Sequence, residues 1–161
     1  MDEMKFDIEE IEDFSGEKAH IYSIRIEGAT ENLLENFFNE NRQYEAELRQ
    51  IVNKLVTMGH LTGCRRDFFK HNEGRPGDGV AVLKIPKGRL RLYCLYFDRT
   101  AVFFGSGGYK PARVRAYQEV PELNAKVEQM KKIAVVINQR IVNREYIIDD
   151  DGNLIINDEL L

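Results

Sequence analysis

An α+β domain, with helices packed on one face of a small antiparallel sheet, is the fold class this sequence predicts, and three observations point to it. Stretches at His20–Glu27 and between Val80 and Phe104 carry the period-two or continuous apolar pattern of strands. Three other segments, around Leu33–Phe38, Tyr44–Met58 and Leu123–Ile141, repeat apolar residues at helical spacing. The turns between the later strands are short enough to demand hairpins. The 161 residues are of single-domain size, and 43% hydrophobic with 31% charged residues is a globular composition that excludes wholesale disorder. No apolar run approaches the ~20 residues a membrane span needs.

Each element has its own signal. Residues 1–19 are acidic and poor in apolar positions, and read as a weakly ordered lead-in. His20–Glu27 alternates, with Tyr22, Ile24 and Ile26 on one side, and Gly28 ends it. Thr30 is placed as a helix N-cap with Glu31 in the first turn, where the helix dipole favours an acid. A second helix carries Tyr44, Leu48, Ile51, Val52, Leu55 and Met58 on one stripe, with Gly59 as its expected end. The two helices are expected to form a hairpin on the sheet. Residues 60–79 have no period and five breakers, and read as loop. Val80–Ile85, Arg89–Phe97 and Thr100–Phe104 follow as a meander, broken by Gly105, Ser106, Gly107 and Gly108. Pro121 opens a third helix with Leu123, Val127, Met130, Ala134, Ile137 and Ile141 on its stripe. A small hairpin around Asp150–Asn153 closes the chain. The expected order is β-α-α-β-β-β-α plus the hairpin, divided into the lead-in 1–19, a core domain 20–141 and an acidic extension 142–161.

The net charge of −4 argues against nucleic acid only as an average. Residues 1–19, 20–59, 60–116 and 117–161 carry −6, −2, +8 and −4 respectively. A basic middle between acidic ends binds phosphates whatever the whole-chain balance. Side chains of Arg89–Phe97 alternate, so Leu90, Leu92, Cys94 and Tyr96 are expected against the helices. Arg89, Arg91, Tyr93, Leu95 and Phe97 are then expected on an open face. Lys84 and Lys87 come from the preceding strand and turn, and Lys110, Arg113 and Arg115 from the connector after the third strand. Arg65 and Arg66 add charge in the loop before them. An arginine fork grips a phosphate with two hydrogen bonds, and clustered cations stabilise the extra charge of a phosphoryl transition state. Tyr93, Tyr109 and Tyr117 are the residues placed to stack on bases. The competing readings are a non-catalytic module that grips RNA or a protein through this face, and a structural or partner-binding protein whose acidic ends neutralise it.

Other features read as structural. His20, His60 and His71 have no metal-ligand spacing and no nucleophile beside them, so no metal site is expected. Cys64 and Cys94 form no disulfide framework, which fits a reducing, cytoplasmic setting, and both read as packing residues. Gly105–Gly108 lacks the Lys-Ser/Thr of a phosphate loop and reads as a turn. Asp149–Asn153 starts like a calcium loop, but its twelfth position is Leu160, so a hairpin turn is expected.

Residues 20–141 resemble the RelE/HigB-like toxins of bacterial toxin–antitoxin systems, in particular the phage-derived HigB-like branch. The stretch that carries the resemblance is GDGVAVLKIPKGRLRLYCLYFDRTAVFFGSGGYKPARVRAY, residues 77–117. It has a short strand with a basic turn, an Arg-Leu-aromatic strand, and a hydrophobic strand ending in Gly and a Lys/Arg-rich segment. The resemblance implies a metal- and cofactor-independent endonuclease that cuts mRNA on the ribosome, using the RNA 2′-hydroxyl, and is restrained by a cognate antitoxin. It implies Arg91 on the scissile phosphate, with Lys84 and Lys87 as charge or base. It further implies Lys110 or Arg113 at the leaving group, with Arg115 competing for that place, and Tyr117 orienting the substrate. Lys87, Arg89, Arg115, Tyr109, Arg65 and Arg66 are the further expected RNA contacts. The acidic lead-in, the long third helix and the closing hairpin are additions to that pattern.

Overall fold

The computed structural model describes residues 4–157, and these form a mixed α+β domain around one six-stranded sheet. The strands are β1 (Phe6–Glu10), β2 (His20–Ile26), β3 (Phe69–Lys70), β4 (Val80–Leu83), β5 (Leu90–Asp98) and β6 (Ala101–Tyr109). They lie in the order β1-β2-β6-β5-β4-β3. Neighbours are antiparallel except β2 and β6, which run parallel with Tyr22 beside Phe103. The expected meander is β4-β5-β6. The sheet as a whole is mixed, because the chain leaves β2 through two helices before returning.

Residues 6–10, expected to be weakly ordered, instead pair along β2 from Phe6 opposite Ile26 to Glu10 opposite Tyr22. The short apolar set Phe6 and Ile8 supplies the inward side, and Phe6 is buried. Acidic residues alternate with it on this edge strand, where charge guards against further pairing.

The helices are α1 (Leu33–Glu40), α2 (Glu45–Thr57) and α3 (Pro121–Val142). Asn32, not Thr30, caps α1. Its side chain accepts from the Glu35 amide at 2.9 Å while the Glu35 carboxylate accepts from the Asn32 amide at 2.9 Å. A single 3₁₀ turn joins α1 to α2. Helix α2 runs past Gly59 through a π-turn at Met58–Thr62, and ends at Gly63 with φ +78°. Pro121 opens α3 as expected.

Helices cover both faces of the sheet, which corrects the one-sided expectation. Ile21, Ala81, Leu83, Leu92, Cys94, Val102 and Phe104 pack with Leu34 and Phe37 of α1 and with Ile51, Leu55 and Met58 of α2. Tyr22, Ile24, Val80, Val82, Tyr93, Leu95 and Phe103 pack on the other face with Leu123, Val127, Met130, Ile133, Ala134 and Ile137 of α3. The reason is visible in β5, where both alternating sets are apolar from Leu92 to Leu95, the mark of a strand buried on two sides. Buried Ser23 ties the layers together: its hydroxyl donates to the Phe104 carbonyl at 2.8 Å and accepts from the Leu34 amide at 3.1 Å.

The Gly105–Gly108 segment is not a break. Strand β6 continues through it to Tyr109, with a register shift opposite Leu92–Cys94. A Cβ at Gly107 would stand 1.7 Å from the Arg91 carbonyl oxygen, and one at Gly105 2.6 Å from the Met130 sulfur. The glycines let β5 and α3 approach this strand closely.

The closing hairpin pairs β7 (Tyr146–Ile148) with β8 (Leu154–Ile156). The buried Tyr22 hydroxyl donates to the Gly152 carbonyl and accepts from the Leu154 amide, each at 2.8 Å, and fastens the hairpin to β2. Among the described residues no helix is long and apolar enough to cross a membrane.

Candidate functional site

Strand directions bring the end of β4, the start of β5 and the end of β6 to one end of the sheet. Arg91 lies opposite Gly108, two residues before Lys110, and Lys84 follows β4 directly. Residues 110–120 return across this end before α3 begins. The result is an open cleft of about 670 Å³. Lys84, Arg91, Lys110, Arg115 and Tyr117, all named from the sequence, line it together. Lys70 and Glu73 line it as well. Among the described residues, none of Lys84, Arg91, Lys110 and Arg115 forms an ion pair with a carboxylate.

Arg91 is half-buried and held at one end only. Its Nη1 donates to the Gly88 and Leu90 carbonyls, each at 3.0 Å. The Nε and Nη2 groups make no hydrogen bond in the described residues, and an arginine edge of this kind is able to grip a phosphate through two oxygens. Lys110 donates from Nζ to the Arg115 carbonyl at 2.9 Å. Burial lowers its pKa below the usual lysine value, and the charges of Arg91 and Lys70 lower it further, against an opposite pull from Glu73 and Glu119. Glu73 is the acid on this surface, its side chain 10% exposed and 3.5 Å from the Lys70 ammonium. The Tyr117 hydroxyl donates to the Glu73 carbonyl at 3.2 Å, and its ring meets Tyr93 edge-on at 6.2 Å.

Several expected contacts are buried or lie elsewhere. Tyr93 borders the cleft, but it is 1% exposed beneath Tyr117, so no base stacks on its ring. Tyr109 faces the α2 side and stacks on Tyr44 with ring centroids 4.7 Å apart. Lys87, Arg89 and Arg113 are exposed but do not line the cleft. Arg66 lies over Tyr96 on the α1–α2 side. Arg65 pairs with Asp67 at 3.1 Å and lines a separate hollow of about 420 Å³ with Lys18 and Arg99. The described part of the acidic lead-in does not line the cleft; its strand β1 occupies the opposite edge of the sheet from β3.

The sequence reading missed Lys70 and Glu73. Both fall in the aperiodic stretch 60–79, which reaches the cleft by pairing Phe69 and Lys70 with Leu83 and Val82 and by the hydrogen bond from the Glu73 amide to the Val80 carbonyl at 3.0 Å. His71 borders the cleft, but its ring turns to the other face. There its Nε2 donates to the Arg66 carbonyl at 2.8 Å and its ring lies 5.1 Å from Tyr96. Cys64 and Cys94 are buried free thiols whose pKa values burial raises, that of Cys64 to about 12, which makes them poor nucleophiles.

Comparison with protein-family models, with curated proteins and with solved structures finds no match for the chain.

Proposed function

We propose that the chain is a metal-independent endoribonuclease of the RelE/HigB-like kind, a toxin that cuts mRNA on the ribosome and is restrained by an antitoxin. One observation carries the reading. Four cations from three separate segments, unpaired with any carboxylate among the described residues, share a cleft with a half-buried tyrosine. A cleft of this charge concentrates an RNA backbone, and its arginine edge fits a phosphate.

The chemistry follows from the groups available. The 2′-hydroxyl attacks the adjacent phosphorus and loses its proton to the Glu73 carboxylate. The bond to the 5′-oxygen breaks, and that oxygen takes a proton from the Lys110 ammonium. The products are a 2′,3′-cyclic phosphate and a 5′-hydroxyl. Arg91, with Lys84 and Arg115, balances the charge that gathers on the phosphate oxygens. Lys110 suits proton donation because burial and its cationic neighbours weaken its hold on the proton. Tyr117, fixed to the Glu73 backbone, walls the site against the sugar and base.

The test is cleavage of a short mRNA on programmed ribosomes by the purified chain. Wild type is expected to release a 2′,3′-cyclic phosphate end, and Arg91→Ala to slow cleavage by roughly 10²–10³-fold, the usual cost of one charge-stabilising group. RNA binding without cleavage by wild type contradicts the nuclease reading and leaves a module that grips RNA.

A further inference from the structure

Helix α2 reaches the turn before β5 through the side chain of Glu47. Glu47, half-buried on that helix, accepts hydrogen bonds from two successive backbone amides at the start of β5. One carboxylate oxygen takes the Arg89 amide and the other takes the Leu90 amide at 3.2 Å. These amides belong to the turn between β4 and β5, where Lys87 has φ +59° and Gly88 packs against both Ile85 and the Glu47 carboxylate. The same turn supplies the carbonyls of Gly88 and Leu90, and both accept from the Arg91 Nη1.

From this chain of bonds we infer that Glu47 is a positioning residue for Arg91. Its carboxylate fixes the turn, the turn's carbonyls fix one end of the guanidinium, and the opposite edge is left aimed into the cleft. The arrangement costs one carboxylate and leaves the cationic surface intact, because Glu47 does not line the cleft. An arginine has several rotatable bonds, and ordering it before the phosphate arrives removes an entropic cost from binding. A displacement of about 1 Å in such a group costs up to about 10²-fold in rate. The inference rests on the RNA-cleaving reading above for its assay, although the hydrogen bonds themselves do not.

A double-mutant cycle tests it with Glu47→Ala, Arg91→Ala and the pair, measured both as cleavage on programmed ribosomes and as binding of a single-stranded RNA oligonucleotide. Glu47→Ala is expected to lower cleavage about 10- to 100-fold. In the Arg91→Ala background the same change is expected to have an effect below about 2-fold, since the group it acts through is gone. Glu47→Gln, which keeps one good acceptor and the side-chain shape, is expected to recover part of the loss. It also serves as the probe if the alanine variant does not fold. Equal effects of Glu47→Ala with and without Arg91 overturn the positioning role and leave the nuclease reading in place. If Arg91→Ala alone changes neither binding nor cleavage, the nuclease reading itself fails, and the positioning role fails with it.

Discussion

Arg91 shows how much a single residue's environment decides. Period-two alternation along β5 separates it correctly from Leu90 and Leu92, and that much is legible from the sequence. The proposed role as a phosphate ligand depends on two carbonyls, Gly88 and Leu90, which no pattern announces. Tyr93 has the same alternation and the opposite fate: α3 and Tyr117 bury it. Away from the cleft, Asp149 governs the closing turn. Its carboxylate accepts from the amides of Asn153 at 2.8 Å and Asp151 at 3.0 Å, and the first of these bonds is the main reason its pKa lies below the ordinary 3.8. A carboxylate with a depressed folded value contributes stability that is complete above its unfolded value. That contribution fades as pH falls through the folded one. Asp149→Asn is therefore expected to lower the urea midpoint most near neutral pH. The gap to wild type should close as pH drops below about 3.8. A gap that widens on acidification contradicts this role for the turn.

Among the elements, β6 departs furthest from what its composition suggests. Three glycines in four residues read as a break, yet the strand runs on to Tyr109. The signal that was missed is steric: only the register of β6 against β5 and α3 shows why side chains are excluded there. Gly107→Ala places a Cβ 1.7 Å from the Arg91 carbonyl, and a backbone atom cannot yield as a side chain does. The strands must separate, and the expected cost is roughly 2–3 kcal/mol in chemical unfolding. A variant of unchanged stability shows that the two strands have room to slide. Helix α3 carries a related lesson. Its apolar stripe is plain in the sequence, but which face it covers is not, because a stripe does not name its partner. The second apolar set of β5 held that information, in Tyr93 and Leu95.

At the scale of the molecule, the segregation of charge along the chain becomes a segregation in space. The acidic first strand sits at one edge of the sheet. The closing hairpin is pinned beside Thr100, where β6 begins, and the cationic cleft opens where β6 ends. Among the described residues, neither acidic end pairs with Lys84, Arg91, Lys110 or Arg115. Glu73, the acid that lines the cleft among the described residues, pairs with Lys70 and not with these four cations. Topology is what gathers Lys84, Arg91, Lys110 and Arg115, and the sequence made that gathering legible only as three basic segments flanking a meander. The most direct measurement is the salt dependence of binding to a single-stranded RNA oligonucleotide. Each phosphate neutralised on a single strand adds about 0.7 to the slope of log affinity against log salt concentration, so engagement of all four cations predicts a slope near −3. Arg91→Ala is expected to reduce that slope by about 0.7 and to weaken binding. A wild-type affinity indifferent to salt, or a slope that Arg91→Ala leaves unchanged, contradicts the claim that this cleft holds an RNA backbone.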